Sequence, residues 1–218
     1  MTSPLERAVR IMDRLRSPGG CPWDAAQTAE SLTRYLLEEA YEVLEAIETG
    51  DHALLREELG DLLLQVLFHA RIAEELPAGE AFGIDDVADD LVEKLIRRHP
   101  HVFTDSAATD GRAQPSADQL NETWERQKID EKGRSSAVDG VPTNQPALAL
   151  TAKLVSRAAR AGVDVEPPAT DDIGARLFAV VQDAAVAGID PEAALRRTAR
   201  AYRESIVARE AELSADGK

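Results

Sequence analysis

The sequence predicts an all-α protein, and three observations lead to that fold class. Hydrophobic residues make up 44% of the 218 residues but aromatic residues only 4%. The core must therefore be built from Leu, Val, Ile and Ala, which favours helices. Apolar residues recur at helical spacing in several segments that begin and end with cap and stop signals. No segment alternates apolar and polar residues over a length that would form a strand.

The bulk charge and the cysteine content limit the classes of function. A formal net charge of −15 has the wrong sign for binding a nucleic acid polymer through its phosphates. Cys21 has no second cysteine with which to pair, which suits a reducing cytoplasm. The N-terminal segment lacks the apolar stretch of a signal peptide, and no apolar run approaches the ~20 residues of a membrane span. We therefore expect a soluble, cytoplasmic protein without a membrane partner.

The N-terminal elements can be assigned from local signals. A first amphipathic helix is predicted from Pro4 to Arg16, where the sequence SPGG ends it. The next stretch, CPWDAAQT, is predicted to be an irregular connector. Within it, Asp24 or Thr28 is the candidate N-cap of a long helix that continues to about residue 49.

Further helices follow along the chain. Gly50 is a natural stop for the long helix, and Asp51 is the expected N-cap of the next helix, which continues to about residue 75. A third helix is predicted over IDDVADDLVEKLIRRHP, with acids in its first turn and bases in its last, and it ends at Pro100. After it we predict a polar loop, a short helix around NETWERQKIDEK and a second loop. The C-terminal helices are predicted at about 147–161, 172–187 and 191–214.

The carboxylates of the two long helices occupy positions where a solvated face is not expected. Glu39 and Glu42 are one turn apart on the first helix, and Glu58 and Asp61 have the same spacing on the second. The second helix is apolar nearly all round from residue 59 to 68, so we expect it to be buried on most sides. Ionised carboxylates on a packed face are unfavourable unless they are paired or bound to a metal.

Two interpretations of these acids are open. The chain has 40 acidic residues, so an acidic string inside a helix is by itself most often a solvated surface. Two antiparallel helices that each carry an acidic pair can instead bring four carboxylates to one point. Such an all-oxygen cluster suits a hard cation, Mg²⁺ or Mn²⁺, and the Glu58/Asp61 pair favours this interpretation. His69 lies on the Glu58 face and is a weaker candidate, since a core or surface histidine explains it as well.

Basic and aromatic side chains that could face an anionic ligand come later in the chain. Lys94, Arg97 and Arg98 lie within one turn of each other on the third helix. They either complement the C-terminal helix dipole or bind phosphate. Trp124 and Lys128, four residues apart in WERQK, either anchor the core or offer a stacking surface and a charge. A metal, phosphate donors and a stacking ring together indicate a nucleoside triphosphate site.

Five segments, in this order, resemble the MazG nucleoside triphosphate pyrophosphohydrolases: CPWDAAQT, LLEEAYEVLEAI, EELGDLLLQVLFHARIA, KLIRRHPHVF and WERQK. The resemblance covers residues 5–132 and includes the family signature Glu-Glu-x-x-Glu followed by Glu-x-x-Asp. It implies a MazG-like helical bundle whose four-helix core is completed by dimerisation, and therefore a homodimer. It also implies hydrolysis of NTP or dNTP to NMP or dNMP and pyrophosphate, in the house-cleaning of nucleotide pools. The implied cofactor is Mg²⁺, with Mn²⁺ as a substitute.

The resemblance also implies roles for individual side chains. The implied Mg²⁺ ligands, which are catalytic, are Glu39, Glu42, Glu58 and Asp61. A fifth catalytic acid, Glu38, is implied to hold a second Mg²⁺ or to orient the attacking water. The implied substrate-binding residues are Lys94, Arg97, Arg98, Trp124 and Lys128.

The C-terminal part resembles a shortened second MazG-like repeat. ELGDLLLQVLFHA (58–70) aligns with DIGARLFAVVQDA (172–184), but Ala175 stands at the position of Asp61. The helix that would carry a second Glu-Glu-x-x-Glu is also missing. We therefore predict a catalytic repeat over 1–132, a linker over 133–146, and a structural or dimerising helical repeat over 147–218.

The sequence leaves two functions from different classes open. The first is an Mg²⁺-dependent nucleoside triphosphate pyrophosphatase, a hydrolase acting on acid anhydrides, which the intact acids of the first repeat favour. The alternative is a catalytically weak helical dimer that binds nucleotide or a partner protein in a regulatory role. The degenerate second repeat keeps that alternative open. A di-iron carboxylate bundle is disfavoured because no Glu-x-x-His pair is present.

Overall fold

The structure, a computed structural model, describes residues 2–103, 116, 120, 136–166 and 172–216. All regular secondary structure within these residues is helical, which confirms the predicted all-α class. Trp124, Lys128 and the helix predicted around them lie outside the described residues. The helices are α1 (Pro4–Arg16), α2 (Pro22–Ala26), α3 (Ala29–Thr49), α4 (His52–Ala73), α5 (Ile84–Arg98), α6 (Pro100–Phe103), α7 (Ala147–Arg160), α8 (Ile173–Val186) and α9 (Pro191–Asp216).

The chain divides into two compact units, Met1–Gln114 and Pro115–Lys218. Helices α1 to α6 belong to the first unit, and α7 to α9 belong to the second. Both predicted acidic pairs therefore lie in the first unit. The functional division at residues 132 and 147 stays a prediction.

The boundaries of the long helices follow local capping groups. Thr28, and not Asp24, caps α3, because its hydroxyl accepts the N–H of Ser31 at 3.2 Å. Gly50 ends α3 with a φ of 73°, a left-handed conformation that favours glycine. Asp51 then caps α4 by accepting two backbone N–H groups at 3.0 Å. The prediction that Gly50 and Asp51 separate the two helices is confirmed.

The connector before α3 contains a short helix, α2, so the prediction of an irregular stretch was wrong for Pro22–Ala26. Pro22 occupies the first turn, where its fixed φ and missing N–H are tolerated. At the other end, the Arg16 guanidinium donates to the carbonyl oxygens of Asp24 at 2.7 Å and Gln27 at 3.0 Å. A side chain from another helix thus provides the hydrogen bonds for the carbonyl oxygens at the end of α2. No local sequence pattern encodes that contact.

Arg16 connects α1 with the end of α4 as well. Its Nε and Nη2 donate to the two carboxylate oxygens of Glu75 at 2.8 and 2.9 Å. Only 6% of the Arg16 side chain is exposed. These hydrogen bonds and the Arg16 charge hold the pKa of the Glu75 carboxyl below its usual value. The paired guanidinium therefore fixes α1, α2 and the C-terminal end of α4 relative to one another.

The core of the first unit is built from α1, α3 and α4. Its buried side chains are Met12, Leu32, Leu67 and Phe68. Ile84, at the start of α5, packs against this cluster while remaining partly exposed. Within the described part of the chain, no helix has both the length and the apolar character needed to cross a membrane.

One face of α4 is exposed, contrary to the expectation that this helix is buried on most sides. Leu59, Leu63, Leu64 and Val66 are each 39–49% exposed. Helices α1, α3 and α5 all contact α4, yet these four residues stay exposed. Periodicity identified the apolar residues correctly, but it does not specify which element covers them.

We predict that Arg16→Met lowers the free energy of unfolding by about 2 kcal/mol or more. The substitution leaves two part-buried carbonyl oxygens without their side-chain donor. Glu75 loses its two hydrogen bonds from Arg16 and keeps the one from Arg71 at 3.0 Å. Urea unfolding at neutral pH measures the loss. The matched control is Arg14→Met, at an exposed arginine two residues earlier. An equal loss in both variants would contradict the proposed connection.

Candidate metal and phosphate site

The candidate site lies between α3 and α4, which are joined by the tight turn at Gly50 and Asp51 and pack against each other in antiparallel directions. This arrangement brings the two acidic pairs together. Glu39, Glu58 and Asp61 each contribute a carboxylate oxygen, and these oxygens lie within 4.8 Å of one another. Glu58 is buried with 9% exposure, and the other two are half-buried. Three oxygens at this spacing can hold a divalent cation.

The other two predicted acids lie at the edge of this cluster. Glu42 is exposed, and its side chain lies within hydrogen-bonding reach of both Glu39 and Glu58. Glu38 is exposed and is not part of the group of three. The structure therefore brings four of the five predicted carboxylates together, with Glu38 on the solvent side of α3.

The pKa values of two carboxyls in the cluster, Glu39 and Glu58, are raised. Burial raises the pKa of the Glu39 carboxyl, and hydrogen bonding to Glu42 and repulsion from Asp61 raise it further. Burial also raises the pKa of Glu58, followed by repulsion from Glu42 and Asp61. Without a cation, the cluster therefore binds protons more tightly than separate carboxyls do.

The three predicted phosphate-binding bases lie on α5. Lys94 and Arg97 are exposed and Arg98 is half-buried. Among the described groups, the charges that shift the pKa values of Glu39 and Glu58 belong to other acids: Glu42, Glu57, Glu58 and Asp61. The substrate-binding role of Lys94, Arg97 and Arg98 stays a prediction.

Two polar atoms on the same face of α4 as Glu58 are buried. One belongs to Gln65, which was not predicted, and the other to His69, which was predicted only as a weaker candidate. Gln65 is 5% exposed, and neither its Oε1 nor Nε2 of His69 has a hydrogen-bond partner among the described protein atoms. Gln65 follows Asp61 by one helical turn and Glu58 by two, on the same face of α4. The same helical phase that selected Glu58 would have selected Gln65 too.

The exposed aromatic ring of Trp23 contacts α3 one helical turn before Glu39. Trp23 is 52% exposed, and its ring contacts Tyr35 at 6.1 Å and Phe68 at 6.5 Å, both edge to face. Tyr35 is one turn before Glu39 on α3. Trp23 was not among the predicted site residues, because a single tryptophan in a segment without helical periodicity carries no positional signal.

Comparison with known proteins decides the family. Residues 27–103 match the family model described as the MazG nucleotide pyrophosphohydrolase domain. The chain is 38% identical over 236 residues to the nucleoside triphosphate pyrophosphohydrolase/pyrophosphatase MazG of Thermotoga maritima, a match that covers 97% of this chain and 88% of that protein. The chain belongs to the MazG family. The resemblance seen in the sequence motifs is thereby confirmed.

Two other relatives of this MazG-family chain differ in length. An uncharacterised 26.1 kDa protein of Streptomyces cacaoi is 50% identical over 204 residues, covering 93% of this chain and 81% of that protein. The nucleoside triphosphate pyrophosphohydrolase of Mycolicibacterium smegmatis is 50% identical over 162 residues, covering 73% of this chain and 47% of that protein. The chain therefore spans less than half of the mycobacterial relative. The matched MazG domain includes all five acids and the three α5 bases.

We predict that Glu58→Gln raises the stability of the metal-free protein near neutral pH and has little effect near pH 4.5. The folded-state pKa of Glu58 lies above its ordinary value of 4.5. Stability associated with the protonated carboxyl is therefore fully present below pH 4.5 and is lost as the pH rises through the raised pKa. Glutamine keeps the neutral form at every pH.

Urea unfolding in the presence of a chelator measures this effect across the pH range. Glu45→Gln, at an exposed position of α3, is the control and is expected to leave the unfolding midpoint unchanged. A destabilised Glu58→Gln protein near neutral pH would contradict the repulsion inferred for the cluster.

Proposed function

We propose that this chain is a nucleoside triphosphate pyrophosphohydrolase that releases a nucleoside monophosphate and pyrophosphate. One observation carries the proposal: in a MazG-family chain, Glu39, Glu58 and Asp61 place carboxylate oxygens within 4.8 Å of one another on two antiparallel helices. A site of this kind suits a triphosphate only with a cation between the acids and the phosphates.

Mg²⁺ is the proposed cofactor, and Mn²⁺ is a possible substitute. The donor set fits either cation, because it contains only carboxylate oxygens. The pKa values of Glu39 and Glu58 are raised first by burial and then by the neighbouring acids, and a bound cation would relieve that repulsion. When bound, the cation neutralises triphosphate charge and lowers the pKa of a water molecule. In the proposal Glu39, Glu42, Glu58 and Asp61 are the ligands.

The remaining acid and the bases have proposed roles in orienting the reactants. Glu38 orients the attacking water or holds a second Mg²⁺. The water oxygen forms a bond to the α-phosphorus, the bond from that phosphorus to the bridging oxygen breaks, and pyrophosphate leaves with that oxygen. The proton of the water passes to a carboxylate and then to solvent. The proposed contacts to the substrate are Lys94, Arg97 and Arg98 for the phosphates, and Trp124 with Lys128 for the nucleoside.

A homodimer is proposed as the working assembly. The exposed face of α4 with Leu59, Leu63 and Leu64, and the exposed Leu91 and Leu95 of α5, support it, since a monomer rarely leaves apolar surface of this extent uncovered. Action on the cellular nucleotide pool is the proposed role. The cytoplasmic location stays a prediction that rests on the single cysteine.

The alternative, a catalytically weak nucleotide-binding dimer in a regulatory role, has one supporting observation. The degenerate repeat over 147–218 has Ala175 at the position equivalent to Asp61 and lacks the helix that would carry a second Glu-Glu-x-x-Glu. The two functions differ in turnover, so a direct assay of the products separates them.

We predict that hydrolysis in ¹⁸O-labelled water with Mg²⁺ places the label in the nucleoside monophosphate and none in pyrophosphate. Attack at the α-phosphorus requires this outcome, whereas attack at the β-phosphorus labels pyrophosphate. Mass spectrometry of the products reads the position of the label, and a panel of NTPs and dNTPs defines the preferred base and sugar. Release of orthophosphate, or absence of turnover across the panel, would overturn the proposed reaction.

We predict that Glu39→Gln and Asp61→Asn each lower the rate of pyrophosphate release about 10³-fold or more, because charge stabilisation worth several kcal/mol is lost with a cation ligand. Initial rates at saturating Mg²⁺ measure the loss. Glu45→Gln, on α3 but outside the cluster, serves as the matched control and is expected to retain the wild-type rate. Retention of activity by Asp61→Asn would remove Asp61 from the proposed ligand set.

A further inference from the structure

Helix α9 has a long stretch that no element of the described structure covers. Residues 201–215 are all exposed, and they include Tyr202 at 69% and Leu213 at 55%. The contacts of α9 with α7 and α8 involve its first part, where residues 191–194, 196 and 200 are partly buried. An isolated helix of about 15 residues is only marginally stable in water, so a partner on this stretch would contribute to its stability.

The exposed part of α9 carries a coiled-coil pattern. Positions separated alternately by four and three residues form one stripe along the helix, the spacing of the a and d positions of a heptad repeat. The members of this stripe, called the α9 seam here, are Leu195, Ala199, Tyr202, Ile206, Arg209 and Leu213. Its four large apolar side chains are 43–69% exposed. The seam extends over about 27 Å of helix.

The α9 seam is symmetric about its own midpoint. Leu195 and Leu213 are equally far from Glu204, Ala199 and Arg209 are equally far from it, and so are Tyr202 and Ile206. Two such helices running in opposite directions therefore place each residue opposite its counterpart, in the a-to-d layers of an antiparallel coiled coil. Ala199 leaves space for the stem of Arg209, whose guanidinium is held by Glu212 at 2.8 Å within the same chain.

The charges of α9 are also complementary in the antiparallel direction. Residues 191–203 contain four arginines and one glutamate, whereas residues 204–216 contain four acids and one arginine. In an antiparallel pair, Arg196 of one helix would face Glu210 of the other at the edge of the seam, twice by symmetry. Within its own helix, Arg196 lies 3.7 Å from Glu192, and a partner's Glu210 would add a second acid beside it. Arg203 faces its own copy near the midpoint, at a solvent-exposed edge where repulsion is weak. A parallel pairing would instead place Arg209 against Arg209 in the centre of the seam.

We propose that the α9 helices of two copies of this chain pair through the α9 seam as an antiparallel coiled coil. The partner is a second copy because the apolar layers and the halves of opposite charge both complement themselves. The pairing is separate from the proposed catalytic site and does not depend on the proposed reaction. The seam covers fewer than three heptads, so the full chain, with all its other contacts, is the protein to test.

The test uses cysteines placed in one layer of the α9 seam. In a Cys21→Ser background, Ala199→Cys and Arg209→Cys are made singly and together, and each full-length protein is mildly oxidised. Antiparallel pairing brings residue 199 of one copy within disulfide distance of residue 209 of the other. It keeps the two copies of residue 199 about 15 Å apart along the helix.

The expected result is a covalent dimer for the double-cysteine protein, joined through a peptide linking residues 199 and 209, and little covalent dimer for either single variant. Adding Tyr202→Glu and Ile206→Glu should abolish the cross-link. Val207→Glu, at an exposed position outside the seam, should leave the cross-link intact. Efficient cross-linking of the single variants would show parallel pairing. That result, or absence of a covalent dimer from the double-cysteine protein, would overturn the proposal.

Discussion

The repulsion among carboxylates buried between α3 and α4 is the constraint on which the site of this protein depends. Glu58 is nearly inaccessible and Glu39 and Asp61 are half-buried, yet the charges that act on Glu39 and Glu58 are acidic. Apolar residues in these positions would pack at lower cost. The arrangement is therefore explained by a ligand that neutralises it, and a hard divalent cation matches the oxygen donors. On the proposed function, the stability lost at the site is the cost of binding this cation.

The rest of the first unit keeps these acids in place. The turn at Gly50 and Asp51 fixes the register of α3 against α4 through a left-handed glycine and a doubly accepting cap. The buried cluster around Phe68 joins both helices to α1, and Arg16 fixes the far end of α4 through Glu75. Each contact is distant from the acids, and together they resist the separation of α3 and α4 that repulsion favours.

Local signals in the sequence predicted much of this structure. The end of α3 and the start of α4 were predictable because Gly50 and Asp51 act on their immediate neighbours in the sequence. Glu58 was predicted as a site residue because its position on the helix interrupts a stripe of apolar residues. Helix α2 was missed, since a contact from Arg16 supports it across a turn of the chain. The exposed face of α4 was predicted to be buried, because an apolar pattern does not identify what covers it. Gln65 was missed because only charged residues were considered as candidates on this face of α4, and its side chain is a neutral amide.

The α3–α4 carboxylates are proposed to form a cation site in which the cation and protons compete for the same oxygens. Calorimetric titration of the metal-free protein with Mg²⁺, in buffers of different ionisation enthalpy, tests it most directly. Just above the ordinary pKa of 4.5, Mg²⁺ binding is expected to release protons, and this release is expected to decline toward neutral pH. In the Glu58→Gln protein, both affinity and proton release should fall. Mg²⁺ binding without proton release at any pH, or with unchanged affinity in Glu58→Gln, would show that these carboxylates do not form the cation site.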